Sequence, residues 1–334
     1  MRVLLSIVVL SYNRPLQVAR ILNNFVGVNY DEVELVIKDD QSPKFDEIRD
    51  IFESFKEKIG INTRIYKNPK NLGYDRNLLD AFKIVDSEYV FLLSDDDYVK
   101  ADKLELVLRR LSLKDKDVFY TPYIVDGTGV INRNIKQETN KLIPKDFSKI
   151  IYNSILFSGM VYRRSSIVEL DLDHDFLGNC IYTQVYLSVI LVYKSQSFGI
   201  LPSGFLFLGG DGENYFGKNE SAINSNILVD RAKITSNLNY QPLLLSTVAK
   251  ASQDTDCYIY KAFMKEYKLR LISYALRARA LGFQQYLDFF IAYKKSDVPK
   301  FMIMNLTLLL ITLIPSTLSR IIYSYGVNGL KKSG

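Results

Sequence analysis

Polar and acidic side chains follow four short apolar segments of the sequence, each typical of a buried β-strand. The residues concerned are Ser11, Asn13, Asp39, Asp40, Asn68, Asp95, Asp96 and Asp97. In an open α/β sheet the carboxyl ends of parallel strands meet at one edge, and ligands bind there. A single aspartate after a strand is an ordinary turn or helix-capping residue. Such groups at four successive strand ends predict a binding site.

The aspartates suit a metal ion and a nucleotide. We expect Asp95 and Asp97, two residues apart in an extended segment, to point to the same side. Two carboxylates without a neighbouring histidine or thiolate favour Mg²⁺ or Mn²⁺, with water and phosphate oxygens completing the coordination. Asp39 and Asp40 can accept hydrogen bonds from ribose hydroxyls or a base N–H. This chemistry is that of a pocket for a nucleoside-diphosphate-sugar.

Alternating sequence patterns predict the elements that position these residues. Apolar runs predict strands at residues 3–10, 33–38, 63–66, 89–93 and 118–120. Helical periodicity lies between them, at residues 15–25, 46–58, 75–85 and 102–111. This order predicts an α/β fold with a doubly wound, mostly parallel sheet flanked by helices.

Composition excludes several other classes of protein. The 334 residues are 48% hydrophobic and 24% charged, which is the balance of a folded chain with room for two domains. A net charge of +6 is too small to imply nucleic-acid binding. His174 is the only histidine, which excludes multi-histidine metal sites. Cys180 and Cys257 are too few for a disulfide framework.

The C-terminal third is predicted to be helical and to attach to a membrane surface. Residues 251–334 carry 12 Lys/Arg against 5 Asp/Glu, a net charge of +7. The apolar run at residues 301–314 is shorter than the roughly 20 residues of a simple membrane span. Basic flanks suit anionic headgroups, so we expect this run to lie in the interface. Two alternatives stay open: it packs on the enzyme's own helices or a second subunit, or it extends through Tyr323 and spans the bilayer.

The N-terminal segments resemble a known family. Residues 5–15, Leu-Ser-Ile-Val-Val-Leu-Ser-Tyr-Asn-Arg-Pro, resemble the opening of the family 2 glycosyltransferases, which have the GT-A fold. Three further segments follow in the family's order: Asp39 and Asp40, residues 71–77, and residues 95–97, which stand in the place of the D-x-D motif. Residues 157–163 resemble its acceptor-side strand. The similarity extends to bacterial transferases that build O-antigen or capsule repeats, abequosyltransferase-like enzymes among them.

The resemblance implies an organisation and a role for each residue. Residues 1–125 would be the nucleotide-sugar-binding half, 126–220 the acceptor-binding half and 221–334 a C-terminal helical region. By similarity, Ser11 and Asn13 line the nucleotide pocket, Asp39 holds the base and Asp40 and Asp96 lie beside them. Arg76 would lie near the diphosphate, with a plain surface arginine as the alternative. Asp95 would reach the ribose and the metal, and Asp97 would ligate Mn²⁺ or Mg²⁺, which stabilises the departing nucleoside diphosphate.

The sequence departs from the family pattern at the general base. Inverting members place a carboxylate about 20 residues after the acceptor-side strand, where this chain has Thr183 and Gln184. The nearest alternatives are Asp175, which we predict as the base, and His174 beside it. Asp211 and Glu213 are further candidates on the acceptor side. A polar turn or a surface loop would explain these residues equally well, and the base could then come from elsewhere.

The sequence therefore predicts a metal-assisted, inverting glycosyltransferase. It would move a sugar from a nucleoside-diphosphate-sugar to a hydroxyl of a lipid-linked bacterial surface glycan, at the cytoplasmic face of the plasma membrane. One alternative is a nucleotidyltransferase or pyrophosphorylase, although no glycine-rich nucleotide loop stands near the N-terminus. Another is a non-catalytic protein that binds carbohydrate or nucleotide-sugar, which the Thr183–Gln184 departure keeps open.

Overall fold

The computed structural model describes residues 3–129, 131–133, 135, 142–209 and 237–332. The chain divides into two compact units. The first lies within Met1–Leu142 and Lys149–Ile223, and the second within Ile143–Ser148 and Asn224–Gly334. The three-part division expected from the sequence stays a prediction.

Two sheets make up the strand structure of the first unit. Its strands are β1 Leu5–Ser11, β2 Val33–Asp39, β3 Asn62–Lys67, β4 Tyr89–Ser94, β5 Asp97–Val99, β6 Val118–Tyr120, β7 Tyr123–Val125, β8 Ile131–Asn132, β9 Met160–Arg163, β10 Gly199–Ile200 and β11 Leu206–Leu208. The larger sheet has the order β10-β6-β9-β4-β1-β2-β3, and in it only β9 runs antiparallel to its neighbours. The predicted α/β fold with a mostly parallel sheet is confirmed.

Helices lie between the strands, as the sequence periodicity predicts. In the first unit and its junction they are α1 Pro15–Asn23, α2 Phe45–Lys56, α3 Tyr74–Ala81, α4 Leu104–Leu111, α5 Phe147–Ser154, α6 Arg164–Val168, α7 His174–Leu177 and α8 Thr183–Ser195. Every residue of β1 and β2 is buried, because the central strands of such a sheet are covered on both faces. Short 3₁₀ turns at Ala101–Lys103 and Pro144–Asp146 precede α4 and α5.

The central strands end level with one another. Ser11 is paired with Asp39, Leu10 with Ser94, and Asp39 with Lys67. The polar residues that follow β1, β2 and β4 therefore meet at one edge of the sheet, as the sequence predicts. This edge carries the candidate site.

A second sheet, of order β5-β11-β7-β8, is not foreseen by the sequence patterns. Its strands are only two or three residues long, too short to show a period. Asp97 begins β5 and pairs with Leu208 of β11. The expectation that residues 95–97 form one extended segment is wrong. Asp95 and Asp96 form a turn between two strands, because β4 ends in one sheet and β5 starts in the other.

The second unit is helical. Its helices are α9 Asn237–Asp254, α10 Ile259–Leu281, α11 Phe283–Lys295, α12 Met302–Leu313 and α13 Ser316–Lys332. The long helix α10 contacts each of the other four. In the described part of the chain, no helix is both long and apolar enough to cross a membrane.

Candidate active site

The first strand end combines a buried serine with a strained turn. Ser11 is buried and its backbone oxygen accepts a hydrogen bond from Asp40 N at 2.9 Å. Asn13 adopts a left-handed conformation with φ 61°, which asparagine tolerates better than most residues. The Asn13 amide donates to Ser42 Oγ at 2.7 Å. This turn ties the end of β1 to the loop after β2.

Asp39 is fully buried and shapes the loop after β2. Its carboxylate accepts hydrogen bonds from Ser42 N, at 2.7 Å, and from the Ser42 hydroxyl. Burial raises the pKa of Asp39 above its usual value, and the two bonds from Ser42 oppose this effect. Each carboxylate oxygen has a second lone pair, so Asp39 can still accept a bond from a ligand.

Asp40 holds the loop that leads into α3. Its Oδ1 accepts hydrogen bonds from Leu72 N and Asn68 Nδ2, both at 2.7 Å, and its Oδ2 accepts one from Gly73 N at 3.0 Å. Burial raises its pKa. With these bonds made inside the protein, Asp40 positions backbone at the edge of the site.

Behind Asp40 lies a buried lysine. Lys38 is fully buried, and its ammonium donates to Asn68 Oδ1 at 2.6 Å and to Asn77 Oδ1 at 2.7 Å. It also lies 3.1 Å from Asp80 Oδ2. Burial lowers the pKa of Lys38, because the charged form is desolvated. The network fixes the start of α3 against the end of β2.

The turn after β4 is held by a buried arginine. Arg14 NH1 lies 2.8 Å from Asp95 Oδ1 and 3.1 Å from Asp96 Oδ2. Tyr12 N donates to Asp95 Oδ2 at 2.8 Å. Burial nevertheless raises the pKa of Asp95 to about 7, because desolvation outweighs the attraction to Arg14. Arg14 therefore supplies a positive charge at the edge where a diphosphate would bind.

Asp97 is also buried and has no salt bridge to any described residue. Ser158 Oγ accepts a hydrogen bond from the Ser94 amide at 3.0 Å, and the Ser158 hydroxyl donates one to Asp97. Asp97 also accepts a hydrogen bond from the Gly209 amide. Burial, aided by the neighbouring charge of Asp96, raises the pKa of Asp97 to about 7. Asp97 interacts with the buried Arg133 without a salt bridge, and a divalent cation beside it would add a closer positive charge.

The donor set fits a hard cation only in part. Among the described residues no three acidic, histidine or cysteine side chains converge on one point. Mg²⁺ and Mn²⁺ are commonly held by one or two carboxylates, with phosphates and waters filling the other positions. Asp97 and Asp95 can provide such carboxylates, although Arg14 already engages Asp95.

The predicted base lies on a short exposed helix. Asp173 directly precedes α7 and accepts a hydrogen bond from Phe176 N at 3.0 Å. His174 and Asp175 follow as exposed residues of that helix. Arg76, exposed on α3, lies against the residue that ends α7: a Cβ added to Gly178 would stand 2.6 Å from Arg76 Nε. Asp211 and Glu213 lie outside the described residues.

Among the described residues three buried cations complete the neighbourhood, and the sequence alone does not single them out. Arg14 directly precedes Pro15, and Lys38 lies in a strand that also contains Glu34 and Asp39, so neither position stands out as a buried cation. The third is Arg133, whose guanidinium donates to the Ser158 backbone oxygen at 2.8 Å. Nothing in the sequence near Arg133 indicates its burial.

Comparison with known proteins agrees with this geometry. Residues 6–170 match the family model described as Glycosyl transferase family 2. None of the curated proteins compared with the chain is significantly similar to it. Among solved structures, S. aureus TarS 1–349 in complex with UDP-GlcNAc is similar with a TM-score of 0.58 and 17% identity, covering 88% of this chain and 82% of that one. The mannosyltransferase PcManGT from Pyrobaculum calidifontis, in complex with GDP-Man and Mn²⁺, is similar with a TM-score of 0.54 and 13% identity, covering 99% of this chain and 87% of that one.

The first unit thus contains a family 2 glycosyltransferase domain with the GT-A fold. The family match confirms the family and the type of enzyme predicted from the sequence, a nucleotide-sugar-dependent glycosyltransferase. The family match ends before α7, so the predicted base lies beyond it.

Proposed function

We propose that this enzyme transfers a sugar from a nucleoside-diphosphate donor to a hydroxyl of a lipid-linked bacterial glycan, with inversion at the sugar carbon. The observation that carries the donor site is the edge where β1, β2 and β4 end level, with Asp39, Arg14 and the 95–97 turn side by side. It combines acceptors for a nucleoside with a cation for a diphosphate.

The donor would be held by groups of both signs. Asp39 accepts a hydrogen bond from the base, and Ser11 and Asn13 line the nucleoside pocket beside Asp40. Ser11 Oγ supports this assignment, because it is buried and has no hydrogen-bond partner among the described residues. Arg14 and the exposed Arg76 would interact with the diphosphate, which carries negative charge into the transition state.

A divalent metal, Mn²⁺ or Mg²⁺, would be held by Asp97 and Asp95. When bound it stabilises the leaving nucleoside diphosphate as a Lewis acid. Asp97 supports this role because it is buried without a salt bridge in the described residues and its pKa is raised to about 7. Asp96 instead accepts a hydrogen bond from the Ser94 hydroxyl at 2.5 Å and forms a salt bridge with Arg14. We therefore assign it to orienting the turn after β4.

Asp175 is proposed to take the proton from the acceptor hydroxyl, with His174 beside it. Its exposure supports access to an acceptor that arrives from solvent. The contact between Gly178 and Arg76 supports a location of α7 near the donor-side helix α3. Asp211 and Glu213 are the other carboxylates proposed for the acceptor side.

The membrane surface is the proposed location of the acceptor, and α12 carries this argument. It is 12 residues long, or about 18 Å, and has no charged residue. Met304, Leu308 and Ile311 are buried, whereas the opposite side is exposed apolar surface that includes Ile303, at 75%, and Leu310, at 63%. Residues 298–334 contain Lys and Arg but no Asp or Glu. An apolar face with basic flanks fits an anionic bilayer interface.

A donor assay tests the proposal. Candidate UDP-, GDP-, CDP- and dTDP-sugars are incubated with the full chain, with Mn²⁺ or with excess chelator, and products are separated. Release of sugar and nucleoside diphosphate that requires the metal supports the transferase. Release of pyrophosphate would instead support a pyrophosphorylase, and donor binding without any turnover would support a non-catalytic binding protein.

A further inference from the structure

Three consecutive residues at the start of α3 contact residues 178–184, which link α7 to α8 and include the first two residues of α8. Tyr74 OH donates to Gln184 Oε1 at 3.0 Å. Asp75 accepts hydrogen bonds from Ile181 N at 2.7 Å and from Thr183 Oγ1 at 2.8 Å. Arg76 lies against Gly178. We call these contacts the α3 clasp.

The clasp holds a strained segment. Ile181 has φ 65°, in the left-handed region that a β-branched residue almost never adopts. Its amide bonds the Asp75 carboxylate, which is itself buried. Without that acceptor, the Ile181 amide would be a buried donor without a partner, and the residue would relax toward an ordinary conformation. Asp75 therefore maintains the backbone of this segment.

The same end of α3 is also anchored to the donor side. Asp40 accepts the amides of Leu72 and Gly73, which directly precede α3. Asn77, inside α3, accepts from buried Lys38. The segment held by the clasp in turn contacts α7: Thr183 Oγ1 lies 2.7 Å from the Leu177 backbone oxygen, so its single proton is shared between that oxygen and Asp75 Oδ1. A continuous set of polar contacts thus joins the end of β2 to the helix that carries Asp175.

We propose that Asp75 is a positioning residue, which fixes α7 and residues 178–184 relative to the donor pocket. This inference rests on the proposed function, in which α7 meets the acceptor. Asp75 touches neither substrate and acts through the backbone of Ile181 and the hydroxyl of Thr183. Loss of the clasp should therefore impair use of the acceptor and leave donor binding unchanged.

The substitutions separate the clasp from simple loss of a carboxylate. Asp75→Ala removes both acceptors, and we expect a tenfold or greater rise in the KM of the acceptor with donor Kd within twofold of the parent. Asp75→Asn keeps an oxygen that can accept a hydrogen bond from Ile181 N. The new amide N–H can donate to Thr183 Oγ1, while the Thr183 hydroxyl donates to the Leu177 backbone oxygen. This variant should recover most of the activity. Adding Ile181→Gly to Asp75→Ala should also recover activity, because glycine adopts positive φ without support.

A matched control is Glu34→Ala, which removes a buried carboxylate paired with Arg64 near the opposite end of β2. It should leave the KM of the acceptor unchanged. If Asp75→Ala does not fold, Thr183→Val and Thr183→Ser replace it, with the loss expected only in the valine variant.

Hydrogen–deuterium exchange provides a readout without substrate. Amides of residues 178–184 should exchange at least tenfold faster in Asp75→Ala than in the parent or in Glu34→Ala. Unchanged exchange there, or equal losses of donor and acceptor affinity, would overturn the clasp. If exchange is faster in Asp75→Ala but the parent protein itself transfers no sugar, the clasp is supported and the proposed function is refuted.

Discussion

Buried carboxylates are the distinctive residues of this site. Asp95 and Asp97 both have a pKa raised to about 7 by burial, yet within the described residues only Asp95 forms a salt bridge with an arginine. Desolvated acidic groups reduce stability unless a cation compensates them. Such groups are tolerated where a charged ligand completes the site.

The first residue-scale prediction concerns the metal. Asp97→Asn should lower kcat/KM by roughly 10²–10³-fold, the usual cost of losing electrostatic stabilisation of the leaving group. The unfolding temperature should stay within a few degrees of the parent, because the amide still fits between Ser158 and Gly209. Steady-state assays and thermal unfolding measure both quantities, with the exposed Asp46→Asn as the control. Full parental activity in excess chelator would exclude a metal-dependent mechanism.

The second concerns the base. Asp175→Asn should reduce turnover by roughly 10²–10⁴-fold, the range of general-base catalysis, with donor Kd unchanged. Asp171→Asn is the control, because it removes an exposed carboxylate four positions earlier. Turnover within a few-fold of the parent would move the role to His174, Asp211 or Glu213.

The third concerns pH. Burial raises the pKa of Asp75 from its ordinary value to about 6, so the folded state favours the protonated form more than the unfolded chain does. Its contribution to stability is complete below pH 4 and is lost as the pH rises through 6. A shift of this size corresponds to about 3 kcal/mol at most. Urea unfolding at pH 4 to 8 should show a smaller fall in stability for Asp75→Asn than for the parent; parallel curves would contradict the shift.

At the scale of elements, α12 is a helix with two apolar sides and only one of them covered. Its buried side contributes to the packing of the helical unit, where α10 contacts both α12 and α13. Deleting α12 and α13 would therefore uncover α10 as well as remove the proposed membrane contact. Point substitutions on the exposed side are the sharper test.

Charged substitutions on that side should weaken lipid binding. Leu306→Glu with Leu310→Glu should reduce binding to vesicles of phosphatidylglycerol and phosphatidylcholine at least tenfold, because each glutamate opposes both burial and the anionic surface. The matched control, Leu16→Glu with Leu113→Glu, changes exposed leucines of the other unit and should bind as the parent does. If the α12 variant sediments with vesicles as the parent does, the exposed side of α12 is a protein contact and not a lipid contact. Loss of a dimer in analytical ultracentrifugation would then reveal that contact.

At the scale of the whole molecule, charge is divided unevenly along the chain. The net charge of residues 251–334 is +7 and that of the whole chain is +6, so residues 1–250 have a net charge of −1. A basic end and a nearly neutral remainder favour attachment to an anionic surface through the C-terminal part.

This asymmetry predicts salt-sensitive membrane binding. Binding of the full chain to anionic vesicles should fall at least tenfold between 50 and 500 mM salt, because exposed charges are screened over shorter distances. Vesicles of phosphatidylcholine alone should bind more weakly and without this dependence. Equal binding to both vesicle types at every salt concentration would contradict an electrostatic contribution.

The sequence by itself determined the sheet, the helices around it and the aspartates at its edge. Strand and helix periods are local properties, and residues that directly follow parallel strands must meet at one edge. β1, β2 and β4 lie where their apolar runs predict, and Asp39 and Asp95 stand at their ends. The family resemblance rests on these same local segments.

Only the tertiary structure decided which partners these residues have. Arg14 reaches Asp95 across 81 positions of sequence, and Asp75 reaches Ile181 across 106. The second sheet, which starts at Asp97, joins strands too short to show a period. Burial, pairing and strain depend on residues that are distant in the chain, and no local pattern encodes them. For that reason the aspartates are visible in the sequence, whereas the cation that holds Asp95 and the clasp that holds Ile181 are visible only in the fold.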